Sequence, residues 1–246
     1  MSDIINGKNP ILEALKAGRP VNKILVDKNI ARHTTIAEIL NIAKQQDIPV
    51  EFVGRFIIDK ESPPGINQGI IAFIAAKDYV NLEDLYKISQ QLDEPPFYVI
   101  LDGIEDPQNL GAILRTAEAT GVHGVIIRSR REVGLTSGVA RASAGAVEYV
   151  PVARVTNIAQ TIEELKRNNI WVVGIDMSGE TSYQKVDFKS PTALVIGSEG
   201  KGLSDLVRKR CDLLASIPMK GKISSLNASV AAALAMYEVF TQRRLL

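Results

Sequence analysis

Cysteine is nearly absent from this sequence. The single Cys211 among 246 residues excludes an intramolecular disulfide and suits a reducing compartment. Histidine is almost as scarce: His33 and His123 stand far apart, with neither a Cys/His cluster nor an HExxH helix beside them, so no metal is expected. No apolar run approaches the ~20 residues of a membrane span, and MSDIINGKN lacks the basic-then-apolar start of an export signal. A cytoplasmic protein without a membrane partner is expected. An excess of one charge is missing too, since 29 Lys and Arg against 28 Asp and Glu leave +1, and only local charge can then speak for nucleic acid. Two nucleotide fingerprints are also lacking. No G-x-G-x-x-G follows an apolar run, and GSEGKG misses the P-loop spacing, so neither NAD nor ATP is supported.

What is present is the composition of a globular protein, 46% apolar and 23% charged, at a length that predicts two domains. The first, residues 1–76, reads as alternating helices and strands. IINGKNPILEALKA carries a helix signal, with Asn9 as cap, Pro10 at the first helical position and Gly18 as stop. A strand follows at Val21 to Asp27, then a helix from Thr34 to Gln46, a strand at Val50 to Val53, a short helix near Phe56 to Lys60 and a strand at Ile70 to Ala75. Residues 77–96 are acidic, close on Pro95-Pro96, and read as a linker holding a helical turn or two around Leu82 to Leu92. Residues 97–246 alternate strands near 98, 125, 151, 171, 193 and 213 with helices near 110, 137, 157, 204 and 228. The predicted class is α/β, a parallel sheet with helices on both faces.

Open sheets of this kind hold ligands just outside the carboxyl ends of their strands. Ala193 to Gly197 runs into the loop SEGKG, whose glycines admit positive φ and close backbone approach around one carboxylate, Glu199. Tyr98 to Leu101 runs into a loop and helix bearing Asn109 and Arg115. Leu213 to Pro218 precedes a long helix opened by Ser225 and Asn227. Each residue has a structural alternative: Asn109, Ser225 and Asn227 as caps, Arg115 as a surface residue, Glu199 as the partner of a helix dipole. Between Arg128 and Arg154, five arginines (128, 130, 131, 141 and 154) face two glutamates, a basic stretch suited to tracking phosphates.

The segments LDGIEDPQNLGAILRTAEATG, LVIGSEGKGLS with IPM, and SLNASVAAALAMYE, in this order, resemble the three motifs of the SpoU/TrmH family of RNA ribose 2′-O-methyltransferases. INGKNPILEAL is similar to the start of that family's L30e-like RNA substrate-binding domain. The resemblance implies a C-terminal trefoil knot, which composition and periodicity do not predict. It also implies S-adenosylmethionine as cofactor, held by backbone groups of Gly197, Ile217, Met219 and Leu226 with Ala228 beside them. The implied catalytic residues are Asn109, Arg115, Glu199, Ser225 and Asn227. Arg115 is often cast as the base in this family, but a guanidinium scarcely releases its proton in proteins, and a forked cation on phosphate and developing alkoxide demands less.

Length and the INGKNPILEAL start are closest to the branch that methylates a guanosine in the peptidyl-transferase P loop of bacterial 23S rRNA. The alternatives are a tRNA or other rRNA 2′-O-methyltransferase, or a non-catalytic RNA-binding or ribosome-assembly protein. Small residues of the last helix, Ala228, Ala231, Ala232, Ala233 and Ala235, let helices approach closely and, with Leu234, Tyr237 and Phe240, predict a homodimer; the family resemblance implies pairing through this region and leaves open whether one subunit completes the other's site. A chain beginning near Glu94 is expected to fold and to bind the cofactor.

Overall fold

The computed structural model describes residues 2–31, 33–62, 65–130, 132–223 and 225–244. Two compact units divide the chain, the first comprising Met1–Asp78 with Leu135–Tyr149, the second Tyr79–Gly134 with Val150–Leu246.

The first unit opens on a strand, β1 (Ser2–Asn6), followed by α1 (Lys8–Lys16), β2 (Val21–Asp27), α2 (Thr34–Gln45), β3 (Val50–Val53), α3 (Arg55–Glu61) and β4 (Ile70–Ala75). Its sheet has the order β1-β4-β2-β3, with only β2 and β3 parallel. The helix signal of residues 4–17 is therefore two elements. SDIIN is too short to show alternation, and it is fixed as a strand by antiparallel pairing to β4, from Ser2↔Ala75 to Asn6↔Ile71. Gly7, at φ 91, makes the turn between them and stands at the N-cap in place of Asn9. Leu25 of β2 packs with Ile58 of α3 and Ile71 of β4. Ile24 and Val26 are also fully buried, and strand alternation turns them to the opposite face.

The segment Leu135–Tyr149 joins this unit across more than fifty residues of sequence. Arg19 Nη1 meets Glu148 Oε1 at 2.6 Å, with the Glu148 side chain 1% exposed, and Lys77 Nζ donates to the Glu148 carbonyl at 2.9 Å. A short helix within the segment, Ser137–Ala142, packs against β1.

The second unit begins with α4 (Leu82–Leu92) and β5 (Phe97–Asp102), then α5 (Pro107–Ala119) and β6 (Gly124–Arg128). After the Ser137–Ala142 helix, counted α6, come β7 (Val152–Val155), α7 (Ile158–Arg167), β8 (Trp171–Ile175) and the two-residue β9 (Thr181–Ser182). The series ends with β10 (Thr192–Gly197), α8 (Asp205–Arg210), β11 (Leu213–Ser216) and α9 (Ala228–Arg244). The sheet runs β7-β6-β5-β10-β8-β11-β9, and its paired strands are all parallel. Central strands β5 and β10 are buried at every position, as expected for apolar runs covered on both faces. Their register, Asp102 opposite Gly197 and Ile196 opposite Ile175, releases three loops at one end of adjacent strands.

The stretch read as a linker holds α4, a full helix of this unit. Its Leu82 and Leu85 are buried in the core with Tyr98, Ile126 and Ile162, and Val80 bridges to Ala153. A Cβ on Gly124 would overlap the Leu85 side chain, so this glycine is what lets α4 lie so close to β6.

A candidate cofactor cleft and catalytic cluster

Asn109 lies in the first turn of α5, which Asp106 caps through Gln108 N at 2.9 Å and Pro107 opens. Glu199 stands in the loop after β10, and Asn227 immediately precedes α9. The fold brings these three together. Asn109 Nδ2 donates to Glu199 Oε1 at 3.0 Å, Asn227 Nδ2 donates to Asn109 Oδ1 at 3.0 Å, and Asn227 Nδ2 also donates to the same Glu199 oxygen. Asn227 is a cap as well, its Oδ1 accepting from Ser229 N at 2.9 Å and Val230 N at 3.3 Å. Its two roles share one side chain without conflict, because the amide oxygen holds the helix while the amide nitrogen holds the carboxylate. One oxygen of Glu199 is thereby fixed by two donors, and no described residue bonds the other.

Beside the cluster lies a cleft lined by Ile196, Gly197, Ile217, Met219, Leu226 and Ala228, together with Ser225 and the Glu199 loop. All five residues expected at a cofactor border it. A Cβ at 197 would overlap the backbone of Gly202, where the loop folds back through Ser198 N to Gly202 O at 3.1 Å and the reciprocal bond at 2.9 Å. Glycine is required there for the loop to close. Exposed backbone, apolar walls and a carboxylate at the rim fit a flat base and a cationic donor. Ser225 lines the cleft but is not the helix cap, since α9 starts three residues later.

Arg115 is not part of this cluster in its own chain. Six residues beyond Asn109 on one helix, it is turned about 240° and displaced about 9 Å along the axis, and its side chain is exposed. Part of the basic stretch is committed to structure, with Arg128 and Arg154 one register step apart on β6 and β7. Arg128 is paired with Asp102 at 2.8 Å, Arg154 lies over the Tyr79 ring and donates to Ser129 O, Arg141 belongs to the first unit, Arg130 is exposed, and Arg131 lies outside the described residues.

Sequence reasoning missed the loop after β8. Asp176 is 8% exposed, accepts from Ser178 N at 2.9 Å and Ser178 Oγ at 2.7 Å, and holds the Arg208 guanidinium at 3.3 Å beneath the Gly202 turn. Burial alone would raise its carboxyl pKa, but the Ser178 hydrogen bonds and Arg208 outweigh it and hold the value below the ordinary range. A carboxylate after a strand was the only signal, and GIDMSG shares it with many turns. Glu132 makes a comparable brace on β5 and β6, accepting from Gly103 N at 2.8 Å and Arg128 N at 2.7 Å. Burial raises its pKa against those two bonds. Among the described residues no group of His, Cys, Asp and Glu is placed to hold a metal ion.

Comparison with known proteins gives this geometry a family. Residues 96–237 match the SpoU rRNA Methylase family, and residues 4–80 match the family described as RNA 2′-O ribose methyltransferase substrate binding. The chain belongs to the SpoU methylase family. A protein of Bacillus subtilis (strain 168), named for the TrmH family of tRNA/rRNA methyltransferases, is 48% identical over 98% of this chain and 96% of its own. A similarly named protein of Staphylococcus aureus (strain MSSA476) is also 48% identical at the same coverage. Among solved structures, the SpoU methyltransferase AviRb from Streptomyces viridochromogenes in complex with AdoMet superposes with a TM-score of 0.82 at 27% identity, covering 99% of this chain and 91% of that one. An AdoMet-bound rRNA methyltransferase from Sinorhizobium meliloti reaches 0.80 at 27% identity, covering 100% and 88%. SpoU methyltransferases thus bind AdoMet, and the cleft of this SpoU chain has the walls for it.

Proposed function

We propose that this RNA methyltransferase moves a methyl group from S-adenosylmethionine to a ribose 2′-oxygen, and that its target is a guanosine of the 23S rRNA peptidyl-transferase P loop. The observation that carries the reading is the Asn109–Glu199–Asn227 cluster at the mouth of the Gly197 cleft. The cofactor supplies an electrophilic methyl on a sulfonium; the protein must position a weak nucleophile in line with it. With one Glu199 oxygen held by two amides, the other is free to accept the hydroxyl's hydrogen bond and then its proton. Ser225, on the same rim, orients what enters. Backbone groups of Gly197, Ile217, Met219 and Leu226, beside Ala228, hold the cofactor, and the trefoil threading implied by the family motifs belongs to the same proposal.

Arg115 enters this scheme from a second copy of the chain. Exposed on α5 and turned away from its own Glu199, it has no part in a single-chain site. The outer face of α9 exposes Val230, Leu234 and Tyr237, an i, i+4, i+7 stripe, while Ala228, Ala232, Ala235, Met236 and Val239 face inward. A homodimer through this stripe covers the apolar face, and Arg115 supplies its fork to the partner's site. The first unit, residues 1–76 by the sequence reading, adds RNA affinity and selectivity, and the enzyme works in the cytoplasm.

An rRNA target is favoured over tRNA by extent. The rRNA methyltransferase from S. meliloti aligns over 100% of this chain, whereas a structure described by 2-OH methylation of C/U34 on tRNA aligns over 62% at a TM-score of 0.56. Calorimetry with S-adenosylmethionine tests the enzyme reading, and absence of binding would leave a protein that only binds RNA or assists ribosome assembly. Primer-extension mapping of methyl-dependent stops on 23S rRNA, from cells lacking the protein and after its return, tests the target. Unchanged stops at the P-loop guanosine would remove it.

A further inference from the structure

Methyl transfer needs two ligands to meet, and the Ser198–Gly202 loop has a cavity on each side. One is the cofactor cleft. The other, of about 710 Å³, opens between the loop after β5 and the start of α8, a size within the range of clefts that enclose a small ligand. Ser198, Glu199, Lys201, Gly202 and Arg208 border both, and Asn109 borders the second. The catalytic cluster therefore stands where the contents of the two cavities meet.

The second cavity carries charges of both signs, and most are already used. Asp102 accepts from Arg128 Nη2 and from Ser204 N, each at 2.8 Å. Asp205 pairs with Arg208 at 3.2 Å, and one Asp106 oxygen caps α5 through Gln108 N. Glu105 differs: it lines the cavity, is exposed, and makes no hydrogen bond or ion pair with any described residue. Lys201, on the loop opposite, is exposed and makes no hydrogen bond or ion pair with any described residue.

An ionised carboxylate only accepts, and it is best answered by two parallel N–H donors. Unpaired RNA bases are read on their Watson–Crick edges. Guanine alone presents two adjacent donors there, N1–H and the N2 amino group. Adenine and cytosine set one donor beside an acceptor, and uracil flanks one donor with two carbonyls. Guanine opposite Glu105 leaves Lys201 for a phosphate, a point charge on a flexible stem.

We infer that the second cavity receives the target nucleotide and that Glu105 is the specificity-determining residue, selecting guanine through its N1–H and N2 amino edge. This rests on the methyltransferase reading above and adds to it the residue that reads the base.

The test uses the full chain with S-adenosylhomocysteine present and the four nucleoside 5′-monophosphates as probes, their dissociation constants measured by saturation-transfer NMR titration. The guanosine nucleotide should bind at least about tenfold more tightly than the other three, as one bidentate base contact provides. Glu105→Gln should abolish that preference, because an amide offers one acceptor and one donor where guanine needs two acceptors. Calorimetric S-adenosylmethionine affinity, unchanged in the variant, verifies its fold. Equal affinity for all four nucleotides, or a guanine preference that survives Glu105→Gln, overturns the inference. If either occurs with S-adenosylmethionine bound normally, the methyltransferase reading stands and only the base assignment fails. Failure of the wild type to bind S-adenosylmethionine removes both.

Discussion

Glu199 and Arg115 illustrate what a single residue can be asked to do. A guanidinium acting as a forked cation loses its geometry but not its charge in Arg115→Lys, so that variant should bind RNA almost normally and methylate slowly. Arg115→Ala should lose about 10²-fold or more in single-turnover methyl transfer, with cofactor affinity intact. An unaltered rate would make it an ordinary surface arginine. His123 permits a pH test remote from the site. Its Nδ1 accepts from Phe97 N at 3.0 Å, Nε2 faces Glu94 at 3.1 Å, and burial pushes its pKa below the ordinary value despite that glutamate. Folding therefore favours the neutral ring. The stability this adds is complete above the unfolded value of about 6.5 and is lost as pH falls through the folded value. Melting temperatures at pH 7.5 and 5.5 should differ more for the wild type than for His123→Asn, which keeps an acceptor and cannot titrate. Residues of this scale were unevenly readable in the sequence. Asn109, Glu199 and Asn227 announced themselves through glycine-rich or capping surroundings, whereas Asp176 carried only a turn signal common to many loops, and its partner Arg208 stands thirty-two positions away.

Elements were easier to place than their neighbours. Central strands β5 and β10 were plain because burial on both faces leaves an unbroken apolar run. β1 was hidden because its pairing with β4 spans seventy residues, and no property of SDIIN encodes that. α4 was underestimated because its acidic composition described the exposed side while Leu82 and Leu85 described the buried one. The expectation that a chain starting near Glu94 folds must therefore be revised. Such a chain lacks Leu85, whose replacement by alanine alone should cost about 2–5 kcal/mol, together with the Val80 bridge. A chain starting at Tyr79 should melt well above one starting at Glu94 and retain S-adenosylmethionine binding. Equal melting temperatures would mean that α4 is dispensable.

The whole molecule is, on the proposed reading, a pair of chains with shared sites, and mixing experiments can detect the sharing. Arg115→Ala and Glu199→Gln should each be nearly inactive alone. After mixing and subunit exchange, half of the dimers carry one of each chain, and crossed sites leave one intact site in each mixed dimer. Activity should return to about a quarter of wild type. Sites built within one chain would return none, and a monomer in sedimentation would exclude the scheme altogether. A last consequence concerns the order in which the chain is made. Arg243 donates to the carbonyls of Pro95, Pro96, Phe188 and Ser190 and covers the Phe97 ring. Burial lowers its pKa to about 10. The residue that fastens the start of β5 thus lies 147 positions beyond the Pro96 it holds. Folding that follows translation from the N-terminus must keep the β5 end waiting until those positions have been made, and a chain cut before Arg243 is left without these four hydrogen bonds.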